Sequence, residues 1–248
     1  MADEAGAVLR RTPVLVAHGT RAAAGVETIA RLADMVGERV GPTRVAFVDV
    51  LGPSPAEVLT EVVRPAVVVP AFLASGYHVR TDLPAGIVAS GHHDTVVTPA
   101  LGPDPVLAQL MMRRLREAGW CPGDGVVLAA AGSSDAQARA EVHVAADQLA
   151  RLVGGDVPVG FLTSAAPTVV DAVTDFRRIN SGRRVFLAAY LLAPGLFHRR
   201  LAECGADGVA DPLGADPMIA DLVASRMVLS DQLTRNQSVP VASTPVRR

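Results

Sequence analysis

The stretch Val67-Val68-Val69-Pro70-Ala71-Phe72-Leu73-Ala74-Ser75-Gly76-Tyr77-His78-Val79-Arg80-Thr81-Asp82-Leu83-Pro84 decides how this chain is read. Its opening valines form a β-branched run without alternation, as expected of a central parallel strand buried on both faces. Pro70 has no N–H and is expected to stop the ladder. Thr81 or Asp82 is placed to cap a helix entered through Leu83 and Pro84. His78 therefore falls just past the carboxyl end of a buried strand, where open α/β sheets build their ligand sites.

Outward from that stretch, strand and helix patterns alternate. Pro13 to Ala17 reads as a buried strand ending at His18-Gly19-Thr20, followed by a helical pattern from about Val26 to Val40. Arg44 to Val48 is a second strand ending at Asp49, and Ser54-Pro55 opens a helix running to about Val63. Beyond the focal strand come a helix near Pro84 to Ser90, a strand at Thr95 to Thr98 and a helix from Pro105 to Ala118. This order predicts an α/β fold, a parallel sheet with helices on both faces.

The turn-rich segment Gly119 to Gly125 breaks the pattern, which then restarts. Val126 to Ser133 echoes Val14 to Thr20, and Phe161 to Pro167 echoes Phe47 to Pro53. Val185 to Arg199 echoes the focal stretch, and Leu213 to Pro217 echoes Leu101 to Pro105. The four matches keep their order at shifts of 112 to 119 residues, which identifies an internal duplication. The expected organisation is a leader over 1–11, a first domain over 12–120, a second over 121–230 and a disordered polar tail over 231–248.

Comparing the copies singles out the candidate chemistry. His18 becomes Ala131, Asp49 becomes Thr163, and His78 becomes Phe197, with His198 one position off. Three polar residues at the ends of three strands lose their chemistry in the other half while the frame survives. The first half is therefore the expected working half. Two imidazoles and a carboxylate suit a divalent transition metal, and two nitrogen ligands leave an open site rather than a closed structural one.

Composition narrows the function. The 248 residues are 50% hydrophobic with a formal charge of −2, so the chain lacks the basic field of a nucleic-acid binder. The acidic opening MADEAGAVLRR is unlike a signal peptide, and no apolar run approaches the roughly 18 residues of a membrane span. Cys121 and Cys204 form no C-x-x-C pair, which points to a reducing compartment without structural zinc. A cytoplasmic protein is expected. No phosphate-binding loop, dinucleotide fingerprint or nucleophile elbow is present.

The residues Leu15 to Arg21, Phe47-Val48-Asp49 before Pro53-Ser54, and the Phe72-Leu73-x-x-Gly76-Tyr77-His78-x-x-x-Asp82-Leu83-Pro84 element together closely resemble the sirohydrochlorin chelatases, small class II tetrapyrrole chelatases. The resemblance covers about residues 12 to 230. It implies two flavodoxin-like α/β domains facing each other across a cleft, and insertion of Fe²⁺ or Co²⁺ into sirohydrochlorin without ATP. It implies His18 and His78 as metal-binding active-site histidines and places the family's acidic residue, usually Glu, on the shorter Asp49. No cofactor is expected beyond the substrate metal. The expected partners are the tetrapyrrole and the metal, with no nucleic acid or membrane, in a monomer or homodimer.

Metallation exchanges two pyrrole N–H protons for one divalent ion, so the site needs a metal donor and a proton acceptor, a role open to the neighbouring carboxylate of Asp49 or to the freed imidazole. For the carboxylated substrate, Gly19, Thr20, Arg21 and Arg80 are the expected anchors. Gly76 and Tyr77 are expected to line the site, and Phe197 to pack against the macrocycle from the second half. His92-His93-Asp94 reads as a solvated turn and His143 as helix surface. A non-catalytic binding protein or metallochaperone using the same cleft is the alternative, and it would need no proton acceptor.

Overall fold

The computed structural model describes residues 9–237, and no helix among them is long and apolar enough to cross a membrane. The first sheet comprises β1 (Thr12–Ala17), β2 (Arg44–Phe47), β3 (Ala66–Pro70) and β4 (Thr95–Val97). Its order is β2-β1-β3-β4, all parallel. The connecting helices are α1 (Ala23–Val40), α2 (Pro55–Thr60), α3 (Leu83–Ser90) and α4 (Pro105–Glu117). The second half repeats this with β5 (Gly125–Ala130), β6 (Val159–Phe161), β7 (Val185–Tyr190) and β8 (Gly208–Val209), in the order β6-β5-β7-β8. Its helices are α5 (Ala136–Val153), α6 (Val169–Ile179), α7 (Leu196–Leu201) and α8 (Pro217–Gln237). The fold is α/β with two parallel, helix-flanked sheets built on a duplicated plan.

The valine runs are central strands because both their faces are covered. Val67 and Val69 look toward the α1 side, with Leu15, Leu32 and Val36, whereas Val68 joins Val14, Val58, Leu59 and Leu83 on the α2–α3 side. Pro70 corrects the expected end of the ladder. It lies within β3 in register with Val16, and Ala71 N–H donates to the Val16 carbonyl immediately after it. The missing donor thus sits at the last rung, where one lost N–H is tolerated.

The last helix of each half crosses to the other half. α4 packs on α5 and β7, and α8 packs on α1 and β3. Ile219, Ala220, Val223 and Met227 of α8 are fully buried in one core shared with Leu15, Val69, Leu128 and Ala188 from both sheets. Each large side chain so buried contributes roughly 1.5–3 kcal/mol. Polar contacts fix the exchange: Arg226 donates to the Pro99, Ala100 and Leu101 carbonyls and pairs with Asp104, while Arg113 pairs with Asp216. The halves expected over 12–120 and 121–230 are thus interlocked.

Both ends of the sequence-based division also shift. Residues 1–8 and 238–248 lie outside the described residues. Leu9 is buried in the shared core, and Arg11 donates to the Ala66 and Asp94 carbonyls and pairs with the Asp94 carboxylate at 2.6 Å. Residues 9–11 are therefore docked rather than a leader. At the other end α8 continues through Asp231 to Gln237, with Asp231 buried and Thr234 accepting from Arg11 at 3.4 Å. A tail read from polar composition alone starts too early, because docking on the first half orders this segment.

Candidate metal centre

The carboxyl ends of β1, β2 and β3 carry His18, Asp49 and His78 to one place. One ligand atom from each lies within 4.8 Å of the others. Four ligands about 2.1 Å from a tetrahedral ion sit about 3.4 Å apart, so a small side-chain rotation closes the set around one metal. The two imidazole centroids are 4.8 Å apart at 80°, and His18 Nε2 is 3.9 Å from Asp49 Oδ2. Among the described residues no other such cluster of three His, Cys, Asp or Glu occurs. The site is open: the His18, Asp49 and His78 side chains are 46%, 57% and 33% exposed.

Each histidine is oriented by an acceptor on its far nitrogen. His18 Nδ1 lies 2.7 Å from the Gly19 carbonyl, and a carbonyl can only accept, so the proton sits on Nδ1. His78 Nδ1 lies 2.6 Å from Asp82 Oδ2, which holds it in the same tautomer. Both Nε2 lone pairs are then free for a metal. Asp49 is steadied as well, because Val50 N–H donates to its Oδ1 at 2.7 Å.

Asp82 is the residue that sequence reasoning missed. Its backbone is helical and its side chain caps nothing, since the helix starts earlier than expected. Residues His78–Asp82 form a π-helical turn running directly into α3, with Leu83 N–H bonded to the His78 carbonyl. Within that turn the fourth residue on comes back beside the imidazole. The spacing His78-x-x-x-Asp82 was the available signal. Asp82→Ala is expected to weaken Co²⁺ binding by about tenfold to a hundredfold, measured by titration, with little change in melting temperature.

Gly19 is needed for close approach. A Cβ there would stand 1.9 Å from the Asp49 carbonyl oxygen, so only glycine lets the β1 and β2 ends come together. Gly132 repeats this in the second half, where a Cβ would be 1.8 Å from the Thr163 carbonyl. The frame is therefore conserved between copies while the ligands are not. Thr163 donates its hydroxyl to the Ala131 carbonyl at 3.0 Å, and His198 turns to the Ala210 carbonyl at 3.3 Å.

The two halves meet at two equivalent seams. Gly76 lies against Ser133 and Ala138, and Gly195 lies against Thr20, with Gly25 against the Pro194 carbonyl. Thr20 also accepts from Ala22 N–H at 3.1 Å. Further bonds cross between halves: Ser75 N–H to Glu141 at 2.5 Å, and Tyr190 hydroxyl to the Leu73 carbonyl at 2.8 Å. Burial pushes the Tyr190 phenol up, so it stays a neutral donor. Arg80, expected to anchor substrate, instead reaches Asp135 across the seam at 3.6 Å. The Gln137 N–H above all, with Ala138 N–H and Arg80 adding, holds the Asp135 carboxyl below the usual range.

The remaining expected residues separate by exposure. Tyr77 is 60% exposed, edge-on to His78 with centroids 6.0 Å apart. Arg21 is exposed. Phe197 is half-buried against the second-half core of Val127, Ala129 and Leu201, and its neighbour Leu196 is the exposed one. The turn is exposed at His93 and Asp94, as expected of a solvated segment, and it also serves as a clasp: His92 is anchored between Thr95 Oγ1 and the Arg64 carbonyl, and Asp94 holds Arg11. His143 is exposed on α5.

Two facing copies of a parallel α/β unit, crossing through their last helices, define a two-domain protein of chelatase architecture. The family model described as CbiX matches residues 12–118 and again 125–229. The chain belongs to the CbiX family, the sirohydrochlorin chelatases. A sirohydrochlorin cobaltochelatase of Methanothermobacter thermautotrophicus is 32% identical over 129 residues, covering 42% of this chain and 90% of that protein. That relative corresponds to about one of the two copies. SirB from Bacillus subtilis, solved with Fe³⁺, superposes with a TM-score of 0.77 at 21% identity, over 92% of this chain and 98% of its own. CbiX, described as the terminal enzyme of sirohaem biosynthesis in denitrifying bacteria, gives 0.63 at 23% identity, over 89% and 99%.

Proposed function

We propose that this protein is an enzyme that inserts Fe²⁺ or Co²⁺ into sirohydrochlorin without ATP, as a cytoplasmic step toward sirohaem or cobalamin. The observation that carries the reading is the pair of imidazoles whose Nδ1–H groups donate to the Gly19 carbonyl and the Asp82 carboxylate, leaving two Nε2 lone pairs beside the Asp49 carboxylate. Two nitrogen donors hold a divalent ion loosely enough to release it, and the exposed face leaves room for a flat macrocycle. As the metal binds the pyrrole nitrogens, two N–H protons leave. Asp49 Oδ2, which has no hydrogen-bond donor among the described residues, accepts one, and water carries both away. The 32% identity to a cobaltochelatase supports the substrate class. No cofactor other than the substrate metal is invoked.

The test is an anaerobic assay with purified protein, following tetrapyrrole absorbance with Fe²⁺, Co²⁺ and Ni²⁺ in parallel and no nucleotide present. Metallation faster than in buffer is the expected result. Tetrapyrrole binding with metallation at the spontaneous rate would make this a binding protein instead.

A further inference from the structure

The two seams are built alike but charged differently. α1 and α5 are equivalent helices of equal length, Ala23–Val40 and Ala136–Val153. Gly76 and Gly195 are equivalent too, and each seats the residue four places on by the same bond: Arg80 N–H to the Gly76 carbonyl and Arg199 N–H to the Gly195 carbonyl, both 3.1 Å. Arg80 and Arg199 are therefore counterparts: Arg80 leaves its own half beside the first turn of α5, and the segment leading into Arg199 meets the start of α1 through Gly195 against Thr20 and the Pro194 carbonyl against Gly25. In one seam the residue preceding that helix is Asp135, which pairs with Arg80 at 3.6 Å. In the other it is Ala22, which carries no acceptor. Arg199 is exposed with no side-chain partner among the described residues, and the same holds for Arg21, next to Ala22. One seam is neutral. Its counterpart, where Thr20 two residues past His18 meets Gly195, carries two guanidinium groups with no side-chain partner among the described residues.

We propose that Arg199, with Arg21, binds a peripheral carboxylate of the tetrapyrrole and so fixes which edge of the macrocycle enters beside His18, while Arg80 serves as an interdomain latch. The inference rests on the chelatase reading above and deepens it. A planar guanidinium matches a carboxylate with two parallel hydrogen bonds, and a charge-assisted pair of this kind contributes more than a neutral one. The missing aspartate at position 22 is what leaves the fork free.

The experiment measures anaerobic binding of metal-free sirohydrochlorin, and separately of Co²⁺ alone, to the full chain. Arg199→Gln is expected to weaken tetrapyrrole binding about tenfold, with Arg199→Lys recovering part of the loss. Ala22→Asp is expected to weaken it similarly, because the new carboxylate recreates the Asp135–Arg80 pair around Arg199. Yet Ala22→Asp should melt no lower than the parent, since aspartate is a favoured residue at a helix start and Ala22 already has extended backbone angles. The double variant should be no weaker than either single one, as both act on one guanidinium. Co²⁺ affinity should be unchanged throughout. Tetrapyrrole binding within twofold of the parent for Arg199→Gln overturns the anchor while leaving the chelatase reading standing. A parent protein that binds no sirohydrochlorin overturns both.

Discussion

His78→Ala is expected to lower metal insertion by about a hundredfold or more, and His18→Ala to do the same. In the proposed centre each supplies one of the two nitrogen donors found among the described residues, and the neighbouring acceptors cannot replace it. Asp82 left alone would add a carboxylate where the imidazole stood, but from a helical turn it faces the position of Nδ1, not Nε2. The fold should persist, because His78 is one-third exposed and stands outside the core clusters. His143→Ala, on the exposed face of α5, should act within twofold of the parent. Initial rates with Co²⁺ and sirohydrochlorin, beside a thermal melt of each variant, decide the matter. A fully active His78→Ala protein would remove His78 from the site.

The second large effect concerns the backbone. Gly19→Ala and Gly132→Ala are each expected to cost about 3 kcal/mol of stability, at the upper end for added core volume. The Cβ at either position would press on a carbonyl oxygen less than 2 Å away, and backbone cannot rotate aside as a side chain can. Gly132 adds a φ of +102°, which penalises alanine a second time. The two differ in chemistry. Gly19→Ala must displace the Asp49 carbonyl and with it the carboxylate, so the surviving folded protein should bind Co²⁺ less well. Gly132→Ala disturbs only Thr163 and should bind Co²⁺ normally once folded. Urea midpoints and Co²⁺ titration in the absence of denaturant separate these effects. Equal loss of Co²⁺ affinity in both variants would disprove the division.

The frame was legible in the sequence because buried parallel strands need unbroken apolar runs, and Val67 to Val69 and Val126 to Leu128 have them. The candidate centre was legible because the copies could be compared where strands end. Other features depend on what a linear pattern does not carry. An apolar helical stripe tells that α4 and α8 are covered, not which sheet covers them, so their crossing was invisible. Asp82 looked like a cap because caps and i,i+4 partners use the same residue types. Arg80 looked free because its partner Asp135 is distant in sequence and belongs to the other copy. The polar character of residues beyond Asp231 hid a helix docked through a few contacts, since composition does not register docking.

The crossing of α4 and α8 bears on why the second copy persists at all. An ordinary duplicate that loses its ligands is dispensable and can be deleted. Here each half supplies the helix that covers a face of its neighbour's sheet, so removing the second half would strip α8 from Val67 and Val69 and expose them to water. Covering that face gives the second copy a structural role in this chain whatever its own chemistry. On the proposed reading, the second copy's strand ends hold no metal and are free to vary toward whatever shape best receives the macrocycle.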